Sequence, residues 1–423
     1  MTKIFTSFSK LIGLFIGMFF LAGCVKDNCT QTYSYFMPVY RTSAEVRANI
    51  KSNQPREIER PGKLFIKDNY IFLNEIDKGI HIIDNVNPSA PKNVAFIDIP
   101  GNMDLAVKGN ILYADLYTDL LTIDITNPLK VVVKSIIDNA FPYRHYSGSF
   151  SADKQMIIVD WEKRDTTVSV DCKGGRMSIW NCSNCMVFDA ALANSGGSSQ
   201  KSTSPFGMGG SMARFTIVNS HLYTVSDQSL DVFSISNPQT PAFTSKLQLG
   251  WGIETIYPFK NKLFIGSNTG MFIYDITNPS QPSKQGSFTH VRTCDPVIAD
   301  DKYAYITLRS GSTCQGFTNQ LDVLNIEDIF HPTLVKSYPM TNPHGLSKDG
   351  DLLFICDGKQ GLKVYNATNA NSISLIKQII GPETYDVIAW NDVAIVSAAD
   401  GLYQYNYSDV NNIKLLSKTV WKK

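Results

Sequence analysis

Residues 270–282 read GMFIYDITNPSQP, and this stretch determines how the rest of the chain is interpreted. It predicts a short apolar β-strand, an Asp at the strand end, an Asn-Pro turn and a second, more polar strand. The same pattern returns at six further places, residues 79–91, 119–130, 229–241, 320–332, 361–372 and 401–412. A spacing of about 40 residues in strand-rich sequence is typical of a repeat protein.

Each copy extends to four predicted strands joined by short turns. In the copy quoted above they cover residues 254–259, 262–267, 271–276 and 284–289. The second and third strands are almost wholly apolar, which predicts that neighbouring copies cover both faces of each sheet. Closure into a ring provides this cover and leaves no exposed end face. We therefore expect an all-β fold, a β-propeller of four-stranded antiparallel blades.

The number of blades follows from counting complete four-strand sets. Eight can be found, beginning near residues 62, 103, 148, 212, 253, 294, 343 and 385. We expect eight blades, with seven as the alternative, because the third set is irregular and lacks the Asn-Pro turn.

Composition limits the class of protein. The 423 residues carry 39 basic and 38 acidic side chains, and 43% of them are hydrophobic. That is enough apolar material for a large core. A net charge of +1 gives no basic face for nucleic acid, so we expect no nucleic-acid partner and a monomeric protein.

The first 24 residues resemble the leader of a bacterial lipoprotein. Lys3 and Lys10 precede or flank a short apolar run at residues 11–20, and Leu-Ala-Gly-Cys follows at 21–24. This tetrapeptide resembles a lipobox, which implies cleavage after residue 23 and lipidation of Cys24. The alternatives are an ordinary signal peptide with a chance Cys, or an uncleaved anchor. We expect a signal peptide at 1–23, a lipidated tether and docking segment at 24–61, and the propeller at 62–423.

The third-strand motif, with its LxIIDIxNP core, resembles the LVIVD repeat of bacterial and archaeal surface proteins. Residues 57–75, EIERPGKLFIKDNYIFLNE, are similar to the corresponding part of Bacteroidetes lipoproteins in that family. The resemblance covers residues 60–420 and implies a β-propeller in the bacterial cell envelope, anchored at the outer membrane or cell surface. The family has no established enzymatic activity.

The repeated Asp and Asn residues have a structural explanation. The Asp275 side chain can accept backbone N–H groups of the turn it enters, and the Asn before Pro279 favours an extended start to that turn. Calcium is the alternative, since these oxygens suit hard cations. One carboxylate per blade cannot converge on one ion, so we expect no metal here, and no cofactor.

A candidate site lies where the innermost strands begin, on the face that we call the top face. Loops after the second and fourth strands share this face, including the long insertions at residues 160–184 and 309–319. The equivalent polar positions, which we call the channel mouth, are Lys63, Asp104, Ser149, Arg214, Glu254, Asp295, His344 and Asp386. They predict either a water-filled channel or a ring of charge that holds a polar ligand or a cation. Neighbours that could extend the site are His290, Arg292, Arg144, His145 and Trp251.

The cysteines predict disulfides, because export permits them. Cys294 and Cys314 are one candidate pair, and Cys172 with either Cys182 or Cys185 is another. Cys172, Cys182 and Cys185 lack a fourth ligand at zinc spacing. Cys356 lies among apolar residues and is expected to be a buried free thiol.

No catalytic motif is present: the sequence contains no G-x-S-x-G, H-E-x-x-H or phosphate-binding loop. We expect a lipid-anchored, non-catalytic binding module that presents its top face to a protein, glycan or peptide. The alternatives are a propeller enzyme, a lyase or hydrolase using the channel mouth, and a structural component of an envelope complex.

Overall fold

The computed structural model describes residues 28–142, 156–171, 208–290, 296–310 and 318–422. Of these, residues 28–38 and 161–171 belong to one compact unit, and the other described residues to a second. Within the described ranges, no helix is long and apolar enough to cross a membrane.

The described part of the chain begins with β1 (Asn28–Thr42), the helix α1 (Ser43–Ala48) and β2 (Ser52–Asn53). Blade 1 consists of β3 (Pro61–Lys67), β4 (Tyr70–Glu75), β5 (Gly79–Asp84) and β6 (Lys92–Asp98). Blade 2 consists of β7 (Leu105–Lys108), β8 (Ile111–Leu116), β9 (Asp119–Asp124) and β10 (Val132–Ile137), with a short 3-10 helix (Pro128–Lys130) before β10. Between blades 2 and 3 lie β11 (Met156–Asp171) and β12 (Met208–Gly209).

The other five blades follow in chain order. Blade 3 consists of β13 (Phe215–Val218), β14 (His221–Val225), β15 (Ser229–Ser234) and β16 (Ala242–Gln248). Blade 4 consists of β17 (Ile253–Phe259), β18 (Lys262–Ser267), β19 (Gly270–Asp275) and β20 (Ser283–Thr289). Blade 5 consists of β21 (Val297–Ala299), β22 (Tyr303–Leu308), β23 (Gln320–Asn325) and β24 (Thr333–Pro339). Blade 6 consists of β25 (Leu346–Asp349), β26 (Leu352–Cys356), β27 (Leu362–Asn366) and β28 (Ser374–Ile379). Blade 7 consists of β29 (Thr384–Trp390), β30 (Val393–Ala398), β31 (Gly401–Asn406) and β32 (Lys414–Val420).

The protein is therefore a seven-bladed β-propeller, which is the lower of the two predicted counts. The expected eighth set, beginning near residue 148, does not form a blade in the described residues. Its strand-forming residues lie in β11, which pairs with β1 in a two-stranded sheet, and β12 pairs with β3 at the inner edge of blade 1. Residues 160–171, which the sequence pattern assigned to the loop insertion at 160–184, are instead part of β11, so that assignment was wrong for this part of the insertion. Strand propensity also does not specify which strand is the partner.

The first strand of each blade is innermost. First strands of adjacent blades contact one another, from β3 and β7 round to β25 and β29. Second and third strands are buried on both faces, as predicted, whereas outer strands such as β24 and β16 are largely exposed. Two-residue turns join first to second strands in six blades, and their first residue has positive φ, as at Asn219 (φ 54°) and Lys260 (φ 53°).

The structural interpretation of the repeated Asp is confirmed. The backbone N–H of Thr277 donates to Asp275 Oδ1 at 2.7 Å, and the copies with Asn keep the same bond, as from Thr368 to Asn366 at 2.9 Å. Asn127, three residues after Asp124, forms a similar turn bond: its Oδ1 accepts the backbone N–H of Leu129 at 3.0 Å. These side chains stabilise the turn and need no ion to do so.

Several of these turns are also bound by the blade before them. Tyr113 and Tyr223 donate their hydroxyls to the carbonyls of Pro238 and Pro279 in the following blade, at 2.7 and 2.9 Å. The ring closes in the same way, because Ser417 of blade 7 donates to the carbonyl of Pro88 in blade 1 at 2.6 Å. A shared apolar cluster between blades 7 and 1 completes the closure, and each fully buried aliphatic side chain in it contributes about 2 kcal/mol.

The segment before β3 is attached to blade 1 through Glu75, whose side chain is 2% exposed. Glu75 accepts hydrogen bonds from His81 Nε2 at 2.7 Å and from Arg56 Nη2 at 2.9 Å. Asn93 Nδ2 lies 3.2 Å from His81 Nδ1, so a neutral ring with its proton on Nε2 satisfies both contacts. The Arg56 guanidinium also lies over the Phe96 ring, 3.9 Å from its centroid.

Candidate functional site

The predicted channel-mouth residues lie at the starts of the innermost strands, on the top face. Those in the described residues are Lys63, Asp104, Arg214, Glu254, His344 and Asp386. Ser149 and Asp295 lie outside the described residues, as do Arg144, His145 and Arg292. The others are placed by six different blades, so they surround the channel axis.

Lys63 interacts electrostatically with several other residues of the channel mouth. Its ammonium group interacts with the charges of Asp104, Arg214, Glu254 and Asp386, which come from four other blades. Burial lowers the pKa of Lys63, and the nearby carboxylates oppose that shift. Lys63 Nζ donates a hydrogen bond to the backbone carbonyl of Met212. The structure therefore brings five predicted residues together round one end of the channel.

Asp104 has a structural role at this end. Its Oδ1 accepts the backbone N–H of Leu105 at 2.7 Å, and its Oδ2 accepts those of Arg214 and of Phe215, the latter at 3.2 Å. Both oxygens are thus used to join blade 2 to blade 3. Burial raises the pKa of Asp104 to about 6, although the charge of Lys63 and these hydrogen bonds oppose the shift.

Arg214 is held by neighbours on two sides. Its Nε donates to the backbone carbonyl of Glu254 at 3.2 Å, and its Nη1 lies 3.2 Å from Oδ1 of Asp227, an exposed carboxylate in the loop after β14. The guanidinium is therefore positioned before any ligand arrives.

Glu254 and Arg309 come from the adjacent blades 4 and 5, and their charges interact. Each carries a charge that shifts the pKa of the other, but no ion pair within 4.0 Å joins them. Burial raises the pKa of Glu254 and lowers that of Arg309. Among the described residues, neither side chain has a hydrogen-bond or ion-pair partner.

His344 and Asp386 lie on adjacent inner strands and are buried, 3% and 0% exposed. Asn342 Nδ2 lies 3.1 Å from His344 Nε2, which places the ring proton on Nδ1, and Nδ1 has no partner in the described residues. Burial and the charge of Arg309 lower the pKa of His344 to about 3, so the ring is neutral.

Asp386 is the most isolated charged group of the mouth. Neither carboxylate oxygen has a hydrogen-bond partner of ordinary geometry in the described residues. Burial raises its pKa well above the usual value, and the charge of Lys63 and the adjacent backbone N–H of Val387 oppose this only in part. The carboxyl lies near enough to Lys63 for the two charges to interact.

Sequence reasoning missed the role of Arg309, which it placed only at the beginning of an insertion. Arg309 directly follows β22, and ends of second strands lie on the same face as the starts of first strands. Reading the charged residue at each such end would have found it. Trp251, predicted to extend the site, lies in the loop before Glu254 and is 76% exposed.

The cysteine predictions are tested only at Cys356, which is a buried free thiol, as expected. Burial raises its pKa well above the usual value. The five cysteines of the candidate disulfides, Cys172, Cys182, Cys185, Cys294 and Cys314, lie outside the described residues, as does Cys24. In the parts of the chain that are described, no three His, Cys, Asp or Glu side chains are grouped so that they could hold a metal ion.

Three segments are similar to the family model of the LVIVD repeat, namely residues 62–97, 101–139 and 261–290. They correspond to blade 1, blade 2 and the last three strands of blade 4, and they support the repeat family that the sequence resembles. No curated protein matches the chain.

Solved structures with the same architecture are distant in sequence. A protein from Lactobacillus plantarum is 11% identical, with a TM-score of 0.51 over 84% of this chain and 98% of its own. The computationally designed protein Ika8 is 10% identical, with a TM-score of 0.50 over 87% and 90% of the two chains. BamB from Moraxella catarrhalis is 8% identical, with a TM-score of 0.45 over 79% and 78%. The first two similarities support the propeller fold and nothing beyond it.

Proposed function

We propose that this chain is a lipid-anchored binding protein of the bacterial cell envelope whose propeller captures a polar ligand at the channel mouth. In this proposal residues 1–23 are a signal peptide, Cys24 carries the lipid, residues 24–61 are a tether, and a monomeric propeller at the outer membrane or cell surface holds the ligand. The leader and the tetrapeptide at 21–24 support the anchor.

One observation carries the proposed site. His344 and Asp386 are buried, and within the described residues neither oxygen of the Asp386 carboxyl nor the Nδ1 atom of His344 has a hydrogen-bond partner. A buried polar group without a partner is unfavourable by roughly 1–3 kcal/mol. Folded proteins keep such groups where a ligand completes them, so the mouth has the character of an unfilled polar site.

A propeller enzyme is the second candidate, and the raised pKa values of Asp104 and Asp386 are the observation that favours it. Both oxygens of Asp104 already bind backbone N–H groups, so that residue is not available as an acid or base. Asp386 remains without a second catalytic group positioned against it in the described residues. One acid with no base or nucleophile in contact supports binding better than turnover.

The anchor is tested by metabolic labelling with an alkyne palmitate. Incorporation into the wild type and its loss on Cys24→Ser would support lipidation. Equal labelling of both proteins, or of neither, would refute it.

The site is tested by thermal shift with four separate probe sets: sugars, dicarboxylates, polyamines and amino acids. At least one set should stabilise the wild type and fail to stabilise the double variant Glu254→Gln, Arg309→Gln. Lys359→Gln is the matched control, since Lys359 lies on the same face, in the loop after β26, and is exposed. If a probe still stabilised the double variant but failed to stabilise a chain lacking residues 172–184, the ligand would contact the insertion. That result would refute the mouth as the site.

A further inference from the structure

Trp251 is the most exposed large apolar side chain in the described part of the chain. It lies in the loop between β16 and β17, on the top face, and is 76% exposed. Among the described residues its indole forms no hydrogen bond and no ring contact. A tryptophan stabilises a fold by burying its large ring, and this one buries little of it. Its contribution to folding is therefore small, and its exposure points to binding.

The loop that carries Trp251 is fixed at both ends to a neighbouring loop. The backbone N–H of Leu249 donates to the carbonyl of Gln228 at 2.8 Å, and the N–H of Ile253 donates to the carbonyl of Asp227 at 3.1 Å. Gln228 and Asp227 belong to the loop after β14, which lies on the same face. The two loops therefore run side by side, and the tryptophan is held beside the exposed carboxylate of Asp227.

Two glycines give the backbone around Trp251 a shape that other residues rarely adopt. Gly250 has φ of +106° and Gly252 has φ of +78°. The carbonyl of Gly252 accepts the backbone N–H of Asn268 at 2.8 Å, and a Cβ on Gly252 would lie 2.2 Å from Asn268 Oδ1. Because the loop is already ordered by these contacts, little conformational entropy is lost when a ligand binds to it.

Polar side chains of both signs border this loop. Arg214 Nη1 lies 3.2 Å from Asp227 Oδ1, and Arg214 Nε donates to the backbone carbonyl of Glu254 at 3.2 Å. Gln228, next to Asp227, is also exposed. The guanidinium and the carboxylate offset each other in charge, so the surface does not favour a simple ion. It combines one flat apolar ring with hydrogen-bond donors and acceptors.

We propose that Trp251 is the platform of a carbohydrate site on the top face, where a pyranose ring stacks on the indole and its hydroxyl groups bind the Arg214–Asp227 pair. This inference deepens the proposed function and rests on its assignment of the ligand to the top face. The C–H groups on one face of a sugar ring form an apolar surface that matches an indole. Sugar hydroxyls both donate and accept, as a carboxylate and a guanidinium require.

A protein partner fits this surface less well. Tryptophans that anchor protein interfaces lie within an apolar patch, and such interfaces cover about 800 Å² on each partner. In the described residues of blades 3 and 4, no other large apolar side chain on the top face is exposed, and the exposed Phe243 lies at the other end of β16. Trp251 is thus an isolated ring among polar groups, which suits a sugar unit.

The experiment is calorimetric titration of the full chain with five probes: cellohexaose, maltohexaose, mannohexaose, xylohexaose and chitohexaose. At least one should bind, and Trp251→Ala should weaken it by about 30-fold or more, as for a tryptophan at the centre of a contact. Trp251→Phe should stay within about fivefold of the wild type, because it keeps an aromatic face. Ile380→Ala is the matched control, since Ile380 is 72% exposed in the top-face loop after β28, and it should change the affinity by less than about twofold.

The polar half of the site is tested separately. Asp227→Ala should weaken the same hexaose by about tenfold, as for the loss of a hydrogen bond to a charged group. Trp251→Ala and Asp227→Ala should both keep the urea unfolding midpoint of the wild type, because both side chains are exposed. Lost binding in these variants then reports the contact and not unfolding.

The carbohydrate platform and the channel mouth can fail separately. The platform is overturned if no hexaose binds the wild type, if one binds the wild type and Trp251→Ala equally, or if Ile380→Ala weakens it as much as Trp251→Ala does. If dicarboxylates, polyamines or amino acids then stabilise the wild type and not the Glu254→Gln, Arg309→Gln double variant, the mouth remains the site. A hexaose that is lost on Trp251→Ala but binds the double variant as it binds the wild type would support the platform and refute the mouth.

Discussion

Substitution of Glu75 by Gln should destabilise the propeller in a pH-dependent way. Burial by itself would raise the pKa of Glu75, but hydrogen bonds from His81 and Arg56 outweigh it and lower the pKa from 4.5 to about 2. A shift of this size corresponds to about 3 kcal/mol of folding free energy at neutral pH. Glu75→Gln removes the charge while keeping the shape, so it should lower the free energy of unfolding by about that amount at pH 7.

The sign of the pH dependence follows from the lowered pKa. The stabilisation is complete well above 4.5, where the carboxylate is ionised in both the folded and the unfolded chain. It declines as the pH falls below 4.5, because Glu75 then binds a proton in the unfolded chain but stays ionised in the folded chain. It disappears below about 2. The gap between wild type and Glu75→Gln should therefore shrink from about 3 kcal/mol at pH 7 to about 2 kcal/mol at pH 3.5.

The assay is urea unfolding followed by tryptophan fluorescence at both pH values. Glu59→Gln is the matched control, because Glu59 belongs to the same segment but its side chain is 57% exposed and forms a surface ion pair with Lys422. It should change the free energy of unfolding by less than about 1 kcal/mol. A Glu75→Gln gap that stayed constant with pH, or one no larger than that of Glu59→Gln, would refute the role assigned to the buried cluster.

Two further predictions concern blade 6. Gly361→Ala should lower the free energy of unfolding by about 2 kcal/mol or more in urea unfolding, since φ is +78° and the new Cβ would lie 1.9 Å from the carbonyl oxygen of Ile379. Gly350→Ala, with φ +56° and open space, is the control and should lose about 1 kcal/mol; equal losses would contradict the clash. Asp357→Ala should lose about 3–5 kcal/mol in the same assay, because it strands the ammonium of Lys363 in a buried position. If Asp357→Ala and Asp357→Asn lowered the free energy of unfolding by equal and small amounts, the ion pair with Lys363 would not stabilise the fold.

The fold could be predicted from the sequence because its determinants are local. The Asp275 and Asn278-Pro279 pattern fixes one turn by bonds within a few residues, and its repetition implies a ring. The blade count was harder, because the strand at 156–171 has the composition of a blade strand but pairs with β1. Its 16 residues exceed the 3–7 of the blade strands, and the missing Asn-Pro turn was the available warning.

The candidate site could be predicted only in outline. Aligning the starts of the first strands placed Lys63, Glu254 and Asp386 at equivalent strand positions, which is where the structure has them; their role as a binding site stays a prediction. The alignment could not tell that both oxygens of Asp104 accept backbone N–H groups, whereas those of Asp386 have no hydrogen-bond partner in the described residues. That difference depends on three-dimensional contacts between blades, for which single-sequence patterns carry no signal.

The two faces of the ring obey different constraints, and this explains where variation is permitted. On the bottom face, the turns hold their own shape, and several also present a carbonyl to the preceding blade, as Pro279 does to Tyr223 and Pro88 to Ser417. A change in such a turn disturbs two blades at once, which limits what the turn can vary. The top face is not constrained in this way, and there the equivalent positions range from lysine to aspartate, while neither oxygen of Asp386 has a hydrogen-bond partner in the described residues. A scaffold that fixes one face by repetition leaves the other face free to vary, and the proposed binding site lies on that free face.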